Sequence, residues 1–131
     1  MLAHIFVYGT LRAGHDGPQA RRLRMEARHV GPARAAGRLY RVEDYPGFVP
    51  GEGGPVLGDL FLLADPAASL AWLDDYEQCG PAFAPPQEYR RVAMCVDGPQ
   101  GPVEAWTYIF LLATDGLERI EGGDFLAGGA P

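Results

Sequence analysis

"HIFVYGTLRAG", residues 4–14, runs a hydrophobic stretch into a tight glycine loop. His4-Ile5-Phe6-Val7-Tyr8 reads as a buried β-strand, because its apolar residues follow one another without polar alternation. The run stops at Gly9, and a second glycine, Gly14, follows Leu11 and Arg12. The loop has two readings. In one it is a plain strand-end turn. In the other, the consecutive amides of Gly9, Thr10, Leu11 and Arg12 point into one concavity and bind an anion such as a carboxylate, or stabilise an oxyanion in acyl transfer.

Outward from that strand, Pro18 opens a helix over about residues 18–28, and residues 33–42 read as an extended segment. "EDYPGFVPGEGGP", residues 43–55, reads as an irregular loop, since three prolines and four glycines oppose regular structure. "VLGDLFLL", residues 56–63, is a strand in which Gly58 marks a bulge or a close contact. Asp65 then caps a helix with Pro66 in its first turn, running to about Glu77, with Gly80 as terminator. "EYRRVAMCV" and "VEAWTYIFLL" form an antiparallel pair joined through "DGPQGP". One helical turn is expected near Leu117–Ile120. About five strands with two helices give an α+β fold, a curved sheet or small barrel.

The length of 131 residues suits a single domain spanning residues 1–131. A hydrophobic content of 47% supports a proper core, so long disorder is not expected. The net charge is −6, which disfavours nucleic acid and anionic membranes as partners. The cluster Arg21, Arg22, Arg24 and Arg28 reads as the solvated face of a short helix, with a local basic patch as the alternative. No stretch approaches the ~20 apolar residues of a membrane span, and no secretory signal is visible. Cys79 and Cys95 suit a reduced, cytoplasmic protein better than a disulfide scaffold.

Several chemistries are excluded. The one serine, Ser69, lies mid-helix and not in a G-x-S-x-G elbow. His4, His15 and His29 lack metal-ligand spacing, so no metal is expected. Neither G-x-x-x-x-G-K-[ST] nor G-x-G-x-x-G occurs. Cys79 reads as a semi-buried thiol, since no histidine is evidently paired with it.

Glu77 stands out. Leu70 and Leu73 lie seven and four residues before it, which puts all three on one helix face, the apolar one. Asp75 points to solvent and Asp74 falls at the margin. A negative charge near a helix C-terminus opposes the macrodipole by ~0.3–1 kcal/mol at a surface site, and burial raises its pKa. A carboxylate held there carries protons near neutral pH. The alternative is that Glu77 frays outward or pairs with Arg90 or Arg91.

"VYGTLR", residues 7–12, followed by "LDDYE", residues 73–77, resembles the γ-glutamylcyclotransferase-like family, which includes the AIG2-like proteins. The resemblance extends through "GRLYRVEDYPGFVP", "VLGDLFLL", "YRRVAMCV" and "AWTYIF". It implies a small mixed β-barrel flanked by helices. It also implies that Tyr8, Gly9, Thr10 and Leu11 form a substrate-holding loop and that Glu77 is the acid/base. Many relatives have glycine directly after that glutamate, whereas Gln78 and Cys79 intervene here before Gly80. The implied substrate is a γ-glutamyl amine or dipeptide, cyclised to 5-oxoproline with release of an amine and without metal or cofactor. Arg12 either assists anion binding or is a surface arginine. Tyr45, Tyr89 and Tyr108 are pocket walls or core residues. The alternatives to an enzyme are a non-catalytic metabolite-binding domain and an interaction domain that uses the arginine-rich helix.

Overall fold

The computed structural model describes residues 2–12, 14 and 17–128; His15, considered above as a ligand, lies outside the described residues. The chain forms β1 (His4–Val7), α1 (Pro18–Glu26), β2 (Ala27–Ala35), β3 (Gly37–Arg41), β4 (Pro46–Pro50), β5 (Val56–Leu63), α2 (Pro66–Tyr76), β6 (Tyr89–Gly98), β7 (Gly101–Phe110), β8 (Glu118–Arg119) and α3 (Phe125–Gly128). Five strands close into a barrel in the order β1-β5-β2-β6-β7, and β4-β3-β8 form a separate three-stranded sheet. The closing pair, β1 with β7, is parallel and meets at Ile5 and Trp106. The β6–β7 hairpin pairs from Tyr89 with Phe110 to Gly98 with Gly101. No helix among the described residues is long and apolar enough to cross a membrane, which says nothing of strands.

The expected mixed barrel with flanking helices is the observed architecture, and three local expectations are corrected. Residues 46–50 are strand β4, not irregular loop. Its prolines sit at the two ends of an edge strand, where a missing N–H is tolerated. The helix opened by Pro18 stops at Glu26, and Ala27 already begins β2, which carries its bulge between His29 and Gly31. Residues near Leu117–Ile120 pair as β8 with Tyr40 and Arg41 of β3, and the C-terminal helical turn lies later, at α3.

β1 explains why an unbroken apolar run was needed. Ile5 and Val7 pack with Leu23 of α1 and Leu70 and Leu73 of α2, whereas Phe6 and Tyr8 pack with Leu39 of β3 and Phe48 of β4. Both faces of the strand are therefore buried, and polar alternation would place a polar group in a core. Gly58 of β5 is a close contact: a side chain there would collide with the Val7 carbonyl and the Phe6 ring. Ser69 is buried on α2 and donates to Glu26 Oε1 at 2.7 Å, as does the Trp72 indole at 2.8 Å, which ties α2 to α1.

Candidate active site

The end of α2 fixes Glu77. Asp65 caps the start through the Ala68 N–H at 3.3 Å, and Leu70 and Leu73 are buried beneath the helix. At the other end, Glu77 is the C-cap. The Gln78 N–H donates to Asp75 O at 3.1 Å and the Cys79 N–H to Asp74 O at 3.0 Å. This pair of bonds is the Schellman arrangement, with Gln78 left-handed at φ 54°. The terminator is thus Gln78, not Gly80, in a conformation that glycine adopts at least cost. Gln78→Gly is expected to raise stability by about 1 kcal/mol, the relief of a left-handed L-residue less the entropy of glycine. Urea unfolding would measure it, and a loss of stability would contradict the assigned strain.

Glu77 lines a cavity of about 490 Å³, within the range of small-molecule sites. Tyr8, Gly9, Thr10 and Leu11 line the same cavity. Burial first, and the nearby charge of Glu88 second, push Glu77 up to about 7. Among the described residues no cation pairs with it. Arg91 is held elsewhere, with its Nε and Nη2 2.8 and 3.1 Å from the two oxygens of Asp74 and its guanidinium 4.3 Å above Trp106. Tyr108 also donates its hydroxyl to Asp74, at 2.7 Å. Asp74, at the margin of the apolar stripe, thereby draws Arg91 away from Glu77.

The loop after β1 folds back once, with the Arg12 N–H donating to Gly9 O at 3.1 Å. The Gly9, Thr10 and Leu11 N–H groups donate to no acceptor among the described residues. Gly9 has to be glycine, because a Cβ would sit 2.6 Å from Pro46 Cγ. The Leu11 side chain is in the core, so only its backbone is available to a ligand. Thr10 Oγ1 lies 3.1 Å from the Tyr76 hydroxyl, which links the loop to the end of α2. Arg12 is neither a surface residue nor an anion ligand. Its Nε and Nη1 lie 3.1 and 2.6 Å from Asp59 and Asp124, anchoring the loop to β5 and to the segment before α3.

The tyrosines are both walls and core. Tyr8 donates its hydroxyl to Tyr108 O at 2.5 Å, and Tyr89 donates to Pro46 O at 2.6 Å. Burial, reinforced by the Glu77 charge, keeps both phenols protonated. Burial and then the Asp74 charge push the Cys79 thiol up to about 11, so it is no thiolate at neutral pH. Sequence reasoning missed Glu88. It lines the cavity and accepts from the Tyr45 hydroxyl at 3.1 and 3.0 Å. The available signal was a lone acid directly before "YRRV", which by itself points nowhere. The cavity counts against a domain whose only functional surface is the arginine-rich helix.

Comparison with known proteins gives one answer. A sequence profile of the family described as "Gamma-glutamyl cyclotransferase, AIG2-like" matches residues 5–127. Gamma-glutamylaminecyclotransferase of Bos taurus is 31% identical over 121 residues, covering 82% of this chain. This chain spans only 65% of that relative's length. The gamma-glutamylcyclotransferase family protein YtfP of Escherichia coli K12 is 35% identical over 123 residues, covering 93% of this chain and 95% of YtfP. Among solved structures, a mouse AIG2-like protein superposes with a TM-score of 0.72 at 27% identity, covering 94% of this chain and 88% of that one.

Proposed function

The chain belongs to the gamma-glutamyl cyclotransferase, AIG2-like family, and from that premise we propose that it converts a γ-glutamyl amine or dipeptide into 5-oxoproline and a free amine. The observation that carries this reading is Glu77, raised to about 7 and without a cation partner among the described residues, lining one cavity with Gly9, Thr10 and Leu11.

The substrate's α-amine attacks its own γ-carbonyl. A carbon–nitrogen bond forms within the five-membered ring, and the bond from the γ-carbon to the leaving nitrogen breaks. No water is consumed. Both reactants belong to one molecule, so the protein's work is to fold it and to move protons. Glu77 takes a proton from the α-amine and returns one to the leaving nitrogen. A group titrating near pH 7 does both with little energetic mismatch. The loop amides receive the α-carboxylate or the developing oxyanion. The phenols of Tyr8 and Tyr89 stay protonated and shape the walls.

Incubation with a panel of γ-glutamyl amines and dipeptides, followed by chromatography for 5-oxoproline, tests the proposal. Catalytic release from at least one of them is expected. Saturable binding of those compounds with no product would replace the enzyme by a metabolite-binding domain.

A further inference from the structure

Three carboxylates line the cavity: Asp44, Glu77 and Glu88. Among the described residues, no arginine, lysine or histidine lines it, and none forms an ion pair with any of the three. Glu88 is half-buried and oriented, since the Tyr45 hydroxyl reaches both of its oxygens. A phenol hydroxyl fixes that carboxylate but neutralises nothing. Asp44 is exposed and marks the mouth. Glu43, Asp44 and Glu88 together hold the Tyr45 hydroxyl in a negative field, and burial and these charges push it up to about 12.

The charges of a γ-glutamyl substrate can be matched against this lining. The glutamyl part brings one α-carboxylate, for which the cavity offers the unengaged N–H groups of Gly9, Thr10 and Leu11 and no cation among the described residues. It brings one α-ammonium, whose proton Glu77 takes. Glu88 and Asp44 are then left without a counter-charge. A leaving amino acid would add a carboxylate beside them, whereas a leaving diamine would add an ammonium. Like charges at close range are strongly unfavourable, and desolvated opposite charges are the usual means of partner selection.

We infer that this site is built for a leaving amine that carries its own cation, the γ-glutamyl amide of a diamine, with Glu88 and Asp44 receiving the distal ammonium. The inference rests on the cyclotransferase reading and deepens it. Glu88 is its specificity-determining residue, and Tyr45 positions that carboxylate.

The test compares γ-glutamyl amides of putrescine, n-pentylamine and γ-aminobutyrate, matched in reach but ending in a cation, a methyl group and an anion. The kcat/KM for 5-oxoproline release is expected to fall in that order, by about tenfold or more from first to last. Glu88→Gln should compress the first-to-last ratio to within about threefold. Asp44→Asn, on the exposed rim, should compress it in the same direction, which keeps the test decisive if Glu88→Gln folds poorly. Equal or reversed preference in the wild type, or a ratio unmoved in both variants, would overturn the inference. If none of the amides is turned over, the wider panel of γ-glutamyl amines and dipeptides decides the cyclotransferase reading separately. Calorimetric binding of the same three compounds then decides the charge preference: tightest binding of the putrescine amide upholds it, and equal binding ends it.

Discussion

Glu77→Gln is expected to lower kcat/KM for 5-oxoproline release by about 10²–10⁴-fold, the usual contribution of a positioned acid/base. Glutamine keeps the shape and the hydrogen-bonding reach of the side chain but cannot accept and return a proton. The C-cap bonds at Gln78 and Cys79 are made by backbone, so they survive the change. Substrate binding should change far less than turnover, because the loop amides and cavity walls are untouched. The wild-type profile should rise with pH through about 7 as Glu77 ionises, and that limb should vanish in the variant. Turnover within a few-fold of wild type would remove Glu77 from the chemistry. The surviving carboxylates of the cavity would then be Glu88 and Asp44.

Which parts of this could be read from sequence follows from how local each signal is. β1 and β5 were legible because both faces are buried, and a long apolar run has few other uses. The inward turn of Glu77 was legible because Leu70 and Leu73 define the buried face within two turns of the same helix. β4 was not legible, since Pro46, Gly47 and Pro50 each argue against a strand. Only pairing with β3 reverses that argument, and the partner lies outside the local window. The fate of Arg91 was not legible either. Asp74 and Glu77 are three residues apart, and choosing between them requires Tyr108 and Trp106, which come from a different strand. Glu88 is the clearest case. Its meaning comes from Tyr45, 43 residues away in the chain, and from a cavity that no single segment forms.

The same Glu77→Gln change is expected to stabilise the fold, by an amount that depends on pH. Glu77 has an ordinary value of 4.5 and is raised to about 7 by burial and by Glu88. A carboxyl whose folded pKa is raised binds its proton more tightly folded than unfolded. Its stability contribution is therefore complete below about pH 4.5 and is lost as pH rises through about 7. Glutamine never ionises, so the variant escapes this loss. The two proteins should be closest in stability near pH 4.5 and diverge towards pH 8, with the variant ahead by up to about 3 kcal/mol at roughly 1.4 kcal/mol per pKa unit. Urea unfolding of both proteins at intervals between those limits measures the gap, and taking the difference cancels groups that titrate alike in each. A gap that stays flat with pH would mean that the carboxyl is solvated like any surface glutamate, and the argument for its proton chemistry would go with it. A gap that opens across this window would mean that the chain tolerates an unfavourable buried charge at neutral pH, at the position where the proposed reaction needs an ionised carboxylate.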